Sequence, residues 1–198
     1  PVELLTWRAG AVFERGVALQ DGRFAWAEQA LTPGSLLEQA NALPPAQFVS
    51  GEAAYTSEIS LAAQGFMRSL APMLARGLIL MLDYGFGQSE YYHPQRAQGT
   101  LMCHYRHHAH ADPFLFPGLQ DITAHVDFTS LIKRGEELGL QTAWFGEQYR
   151  FLMAAGIIEE RDEFYVHLHA IQFLAKFKAS YIGAFSAIDR FSGFSFGE

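Results

Sequence analysis

Six of the eight histidines and the sole cysteine of this sequence fall between positions 93 and 125. The stretch that carries them runs from Leu78 to Leu131. It opens with Leu78-Ile79-Leu80-Met81-Leu82, passes through Asp83-Tyr84-Gly85-Phe86-Gly87, and continues as Glu90-Tyr91-Tyr92-His93-Pro94-Gln95-Arg96. After Gly99-Thr100-Leu101 come Cys103, His104, Tyr105, Arg106, His107, His108 and His110. Then follows Gly118-Leu119-Gln120-Asp121-Ile122-Thr123-Ala124-His125-Val126-Asp127-Phe128. Acids, imidazoles and phenols can move protons, hold cations or orient a polar substrate. A long polar stretch with no amphipathic period, inside a compact domain, is usually a functional loop.

The residues alone leave several chemistries open. Asp83-Tyr84-Gly85-Phe86-Gly87 after an apolar strand has the acid-x-Gly-x-Gly form of a nucleotide or S-adenosylmethionine turn, in which glycines admit a ligand close to the backbone. A tight turn after a strand needs the same glycines, and no Gly-rich run into a helix follows. His104, His107, His108 and His110, with Asp112, Asp121, His125 and Asp127, hold enough imidazole and carboxylate for zinc or iron. Their spacing matches no His-Glu-x-x-His signature, and histidines of an ordered loop can equally serve as hydrogen-bonding groups. Cys103 and His104 are adjacent, so on a strand they point to opposite faces and do not form a dyad. A nucleophilic thiol would need His125, whereas a small apolar cysteine in the core needs no partner. Glu58 is either a helix N-terminal charge favoured by the dipole or a core-facing acid.

The remaining sequence must position these groups. With 198 residues, 49% apolar and 18% charged, the chain can bury a substantial core and reads as one domain, 1–198. A net charge of −7 disfavours a nucleic-acid backbone as partner. A single cysteine excludes an internal disulfide framework and fits a reducing compartment. No apolar run approaches the roughly 20 residues of a membrane span. Residues 4–28 predict a small β-meander, with Asp21-Gly22 as a hairpin turn. Leu36–Ala40 predicts a short helix or loop.

Helical spacing of Ile59, Ala62, Ala63, Phe66, Leu70, Met73 and Leu74 predicts a helix over 57–76, capped by Ser57 or Ser60 and stopped at Gly77. Leu78–Leu82, apolar on both faces, predicts a central parallel strand, and ligands sit at the carboxyl ends of such strands. Asp127 predicts an N-cap for a helix over 128–138. A strand over 141–145, helices over 147–155 and 162–178, and extended segments over 181–185 and 191–196 complete the expected α/β order.

The quoted block resembles the MidA family of class I S-adenosylmethionine-dependent methyltransferases. The resemblance rests on Asp83-Tyr84-Gly85, Glu90–Arg96, Gly99-Thr100-Leu101, Tyr105-Arg106-His107 and Gly118–Phe128. It reaches back through Ser57-Glu58-Ile59 to Gly77 and forward through Gly139-Leu140 and Gln148-x-x-Phe151-Leu152 to Gly156. Pro1-Val2 is similar to the end of the segment that follows the family's fourth sheet strand. The Pro-x-Glu-Met-Gly-Glu-x-Phe-Lys-like segment near the family's C-terminus is kept here only as Phe177-Lys178.

The resemblance implies the C-terminal half of a Rossmann-like class I methyltransferase sheet with a β-meander insertion over 4–28, S-adenosyl-L-methionine as cofactor, and most cofactor contacts upstream of this sequence. It also implies methylation of an arginine of a respiratory complex I subunit, as in the mitochondrial complex I assembly members. The setting would be bacterial cytoplasm or mitochondrial matrix, and a homodimer is compatible with it. Transfer to arginine needs acids that orient a guanidinium and take its proton. Asp121 and Asp127 are the expected acids, with Glu90 in reserve. His93, His107 and His125 would accept a proton or hold those acids, while Tyr84, Tyr92 and Tyr105 would wall the arginine. Arg96 and Arg106 could instead pair with the acids inside the loop. Two further readings stand beside this one: a non-catalytic assembly module binding a respiratory-complex subunit, and a metal-dependent hydrolase built on the histidines.

Overall fold

A computed structural model describes residues 1–154 and, as backbone strand pairing, residues 180–186. In chain order the strands and helices begin with β1 (Glu3–Arg8), β2 (Ala11–Gln20), β3 (Arg23–Ala30), α1 (Ser35–Ala42), α2 (Pro45–Phe48), β4 (Tyr55–Ile59), α3 (Leu61–Leu70) and β5 (Leu78–Phe86). Then follow α4 (Gln88–Tyr91), β6 (Met102–Tyr105), β7 (His108–His110), β8 (Asp121–Thr123), β9 (Val126–Asp127), α5 (Phe128–Glu137), β10 (Gln141–Glu147), α6 (Gln148–Ala154) and β11 (Ser180–Ser186). The fold is mixed α/β. These elements belong to two compact units, one built from 1–63 and 88–125, the other from 64–87 and the chain after 126. Among the described residues no helix is long and apolar enough to cross a membrane.

The first unit carries an antiparallel sheet of order β3-β2-β1-β4. Two-residue turns make the meander. Ala9 and Gly10 (φ 50° and 74°), then Asp21 and Gly22 (φ 50° and 76°), take left-handed conformations that match the twist of a hairpin. The expected meander over 4–28 therefore forms, and β4 joins it as a fourth strand through pairs such as Leu4 with Glu58 and Thr6 with Thr56. The core of this unit is Leu5, Trp7, Val12, Ala40, Leu43 and Tyr55. Trp7 Nε1 donates to the Ala40 carbonyl at 3.2 Å, seating α1 on the sheet. A second, small sheet of order β7-β6-β8 is built from the histidine-rich stretch. Its loop is held by Phe114, whose ring lies 4.9 Å from Trp26 of β3.

One sequence expectation fails here at both of its ends. The helix predicted over 57–76 starts only at Leu61, with Ser60 Oγ accepting from the Ala63 amide at 3.1 Å. A 3₁₀ turn, Ala71–Met73, ends it at Pro72. Tyr55–Ile59 is instead a strand buried along its whole length. Ile59 fits both a helical and an alternating period, and pairing with β1 decides between them.

The second unit holds a sheet of order β10-β11-β5-β9. β5 pairs antiparallel with β11 along 78–84, and parallel with β9 only at Gly85 and Phe86. It is thus central, as expected, but not the doubly buried strand of a parallel sheet. Its side chains alternate, and Leu78, Leu80, Leu82 and Tyr84 are exposed. Gly85 is where β5 is packed most tightly. A Cβ there would strike the Val126 carbonyl oxygen and approach the Phe128 ring to 2.9 Å. α5 begins at the predicted N-cap, with Asp127 Oδ1 accepting from the Ser130 amide at 3.2 Å. Gly139 (φ 83°) lies just beyond its C-terminus. The strand over 141–145, the helix over 147–155 and the extended segment over 181–185 appear as β10, α6 and β11. The helix predicted over 162–178 and the segment over 191–196 lie outside the described residues.

Candidate functional site

In the first unit the polar groups converge on Glu58. Its residue is 1% exposed, in the middle of β4. Oε1 accepts from the backbone amides of Thr100 (2.8 Å) and Leu101 (3.0 Å). Oε2 accepts from Thr100 Oγ1 and from the Tyr91 hydroxyl, both at 3.1 Å, with Ser57 Oγ at 3.4 Å. Charge-assisted bonds of this kind are about twice as strong as neutral ones, and a buried carboxylate needs them. The local sequence is shaped to admit the carboxylate. Gly99 has φ 73°, and a Cβ there would come within 2.5 Å of Glu58 Oε1. Thr56 N donates to the Ala97 carbonyl at 2.9 Å, tying the same loop to β4.

The network extends one shell further, to His125. Thr100 Oγ1 accepts from the His125 amide at 2.9 Å, and the Tyr91 hydroxyl lies 3.1 Å from the His125 carbonyl. The His125 amide is therefore fixed by Thr100, while its carbonyl competes with Glu58 Oε2 for the single Tyr91 proton. Tyr92, also buried, donates its hydroxyl to the Glu58 carbonyl at 3.0 Å, and its ring packs 4.8 Å from that of Tyr91. Tyr55 donates to the His93 carbonyl at 3.2 Å. Burial pushes its hydroxyl up to about 12, with Glu58 adding to the rise and Arg96 opposing it.

The expected site residues are distributed as follows. Tyr92 and His125 stand in the Glu58 network. Glu90 and His93 are exposed on and just after α4; the Glu90 carbonyl accepts from Arg96 Nε at 3.3 Å, and His93 Nδ1 from the Gln95 amide at 3.3 Å. Tyr105 stacks on Phe116 at 4.3 Å. His107 is exposed in the tight turn between β6 and β7, where Arg106 and His107 both have positive φ (48° and 67°). Asp121 is exposed at the start of β8, opposite His104. Asp127 and Tyr84 belong to the second unit. Asp127 is the α5 N-cap, its carboxyl pushed up to about 6 chiefly by burial, against the Ser130 and Thr129 amides and Lys133. Tyr84 is exposed on β5 beside exposed Asp83.

Three readings of the stretch find no matching geometry. Among the described residues no three His, Cys, Asp or Glu side chains come together as ligands for a metal. Cys103 is fully buried, and burial, with Asp112 second, pushes its thiol up, away from the thiolate a nucleophile needs. The Asp83–Gly87 turn is not a ligand cradle at Gly85, because Val126 and Phe128 occupy the space a glycine leaves there.

Residues 1–146 match the family described as "Putative S-adenosyl-L-methionine-dependent methyltransferase". The chain belongs to this methyltransferase family. It is similar to two solved structures from Burkholderia thailandensis. One is a COG1565 superfamily member bound to S-adenosyl-homocysteine, at 40% identity and a TM-score of 0.83 over 96% of this chain. The other is a native COG1565 superfamily protein, at 39% identity and a TM-score of 0.84 over 96% of this chain. The chain spans about half the length of these relatives, 51% and 53%. No curated protein matches it.

Of the two readings of Glu58 in this methyltransferase family member, the core-facing acid is the one the structure shows, and what the sequence does not name is its role as the buried acceptor for a loop about 40 positions away. One signal was present: Gly99-Thr100, a glycine followed by a hydroxyl, is the kind of pair that lets a backbone close on an acid. Its partner could not be named without the sheet.

Proposed function

We propose that the chain is part of an S-adenosyl-L-methionine-dependent methyltransferase that methylates a protein arginine, the acceptor being a subunit of a respiratory complex. The observation that supports methyl transfer is its 40% identity over nearly its whole length to a protein holding S-adenosyl-homocysteine, the product such a transfer leaves, and the arginine acceptor rests on the resemblance of the loop motifs. In this reading the second unit's sheet is the C-terminal half of a Rossmann-like class I methyltransferase sheet, and the β1–β3 meander is its insertion. S-adenosyl-L-methionine is the cofactor, and it supplies an electrophilic methyl group. The residues present fit it in part. Asp83 and Tyr84, exposed at the carboxyl end of β5, are a carboxylate and a ring of the kinds that take a ribose hydroxyl and stack on a purine. The filled space at Gly85 offers no backbone cradle.

This chain's own residues act on the acceptor. Asp121, exposed on β8, pairs with the guanidinium and orients one nitrogen. Tyr105, with Phe116 behind it, presents an aromatic wall against which a guanidinium stacks. His125, its amide fixed by Thr100, accepts the proton the nitrogen loses. Glu90, His93 and His107 are the further acceptor-side candidates of the first unit, where buried Tyr92 acts only by holding Glu58's backbone, and Asp127 and Tyr84 are those of the second.

The test uses S-adenosyl-L-methionine labelled in its methyl group and an arginine-bearing peptide. Label is expected in N-methylarginine. Asp121→Asn is expected to lower the yield by roughly 100-fold, the usual scale for a positioned acid or base, with an unchanged circular dichroism spectrum. Wild-type yield in that variant refutes the role of Asp121, and label in a residue other than arginine refutes the acceptor.

A further inference from the structure

One face of the first unit's meander carries an apolar patch that runs into the acceptor-side residues. On β2 and β3, Val17 stands opposite Trp26 and Leu19 opposite Phe24, so these four side chains share a face. Phe114 lies against two of them, its ring 4.9 Å from Trp26 and 6.4 Å from Phe24. The rest of the patch is open. Val17, Leu19 (69%) and Phe24 are exposed on the hairpin, as are Leu115 and Leu119 (72%) on the loop that carries Phe114. That loop is tied by its own hydrogen bonds: Asp112 Oδ1 accepts from the Phe114 amide at 2.9 Å, and Gln120 Nε2 donates to the Pro113 carbonyl at 2.6 Å. The same loop reaches the acceptor side. Its Phe116 stacks on Tyr105, and Leu119 precedes Asp121 by two positions. The sheet face reaches it too, because Thr6 Oγ1 donates to Glu28 of β3 at 3.0 Å and lies 3.3 Å from Thr56 Oγ1 of β4, two residues before Glu58. Exposed apolar side chains grouped in this way, with polar groups around them, mark a surface that meets another molecule.

We infer that this patch docks the methyl acceptor, taking large apolar side chains that flank the target arginine in a positively charged segment. The inference rests on the arginine reading above and adds what surrounds the arginine. Position and charge select this occupant. The loop that presents Phe114, Leu115 and Leu119 also backs Tyr105 and leads into Asp121, so a segment with its arginine at those two residues lays its neighbours on the patch. The first unit holds ten acidic residues against five arginines and no lysine. Three of those arginines are engaged: Arg8 pairs with Glu28, Arg15 lies over Trp26 and Arg106 over Tyr105. Asp21 in the hairpin turn, Asp112 and Asp121 are exposed. A cationic segment is therefore drawn to this unit, whereas a second copy of a chain with net charge −7 is repelled.

The experiment measures fluorescence anisotropy of two labelled basic peptides, each with a single arginine, flanked on both sides by leucine in one and by serine in the other. This chain is expected to bind the leucine-flanked peptide about 10-fold more tightly, the fold-change that partial burial of leucine side chains supplies. Leu19→Ser and Leu115→Ser, each at a side chain already exposed, should each remove most of that preference, with unchanged circular dichroism and unchanged affinity for the serine-flanked peptide. Equal affinity for the two peptides overturns the inference, as does a preference that survives both substitutions. So does self-association in sedimentation that Leu19→Ser abolishes, which assigns the patch to a second copy. Loss of the preference when the unmatched part of the S-adenosyl-homocysteine-bound relative is added also overturns it, and assigns the patch to the rest of the fold. Binding is read without methyl transfer, so a preference for leucine flanks with no label in arginine upholds the patch and fails the arginine reading alone.

Discussion

Removing the Glu58 side chain should destabilise the fold by about 4 kcal/mol. Glu58→Ala strips the acceptor from two backbone amides, that of buried Thr100 and that of half-buried Leu101. Each orphaned buried donor costs about 1–3 kcal/mol. The two hydroxyls lose less. The Tyr91 hydroxyl keeps the His125 carbonyl at 3.1 Å and Thr100 Oγ1 at 3.4 Å as neighbours. Relief from burying a carboxylate, and water entering the space, hold the total to about 3–5 kcal/mol. For a chain of this length that is a fall in Tm of roughly 10–15 °C.

Glu58→Gln separates the acceptor role from the charge. The amide oxygen can keep both backbone donors, and the amide nitrogen can donate to the hydroxyls of Tyr91 and Thr100, which rotate to accept. Its cost should be about 1–2 kcal/mol. Urea unfolding of the three proteins, followed by circular dichroism, gives the energies. Hydrogen exchange at Thr100, Leu101 and His125 says whether the loss is local. Glu58→Ala within about 1 kcal/mol of wild type, or Glu58→Gln as costly as Glu58→Ala, would refute the argument that the backbone donors dominate.

Gly85→Ala should cost several kcal/mol or abolish soluble expression, because its Cβ meets the Val126 carbonyl oxygen, which belongs to a paired backbone and cannot give way. Gly118→Ala is the control: it has φ 78° and nothing within 4 Å, so it should cost only about 1 kcal/mol in the same denaturation assay. Asp127 sets a pH dependence. Its folded carboxyl titrates at about 6, above its ordinary 3.8, so the folded state holds the proton more tightly and stability falls as pH rises through that window, by at most about 3 kcal/mol. Asp127→Asn keeps an N-cap acceptor and should remove the slope between those pH values in urea midpoints. An unchanged slope would assign the dependence to another group.

What could be read from the sequence was whatever is decided by neighbours along the chain. Asp21-Gly22 dictates a left-handed two-residue turn by itself, and the meander follows. Asp127 before an apolar-periodic run dictates a cap two or three residues on, and α5 follows. Glu58 could not be read that way. Its donors lie 33 to 43 positions downstream, and a strand burying both faces has no period to betray it. The helical spacing that begins at Ile59 then draws the eye one turn too far back. β5 fails for a different reason. An unbroken apolar run looks the same whether both faces are covered or only one is, so composition foretold its central place but not the exposure of Leu78, Leu80 and Leu82.

The histidine-rich stretch separates into two kinds of structure, and only one is tied to the buried network of Glu58. His104, His107 and His108 lie exposed on a small sheet and its turn, where their rings are set by their own rotamers. His125 differs because its amide is held by Thr100, which a buried carboxylate in turn holds, and its carbonyl lies within 3.1 Å of the Tyr91 hydroxyl. A group that must meet a reacting atom within about half an ångström gains from such a frame, since a tethered backbone leaves only the side-chain torsions to search. The arrangement also concentrates risk. One acid fixes the loop at Thr100 and, through it, His125. A lesion at Glu58 should therefore loosen the loop and His125 together, and a variant that freed one while leaving the other ordered would show that the two are held independently.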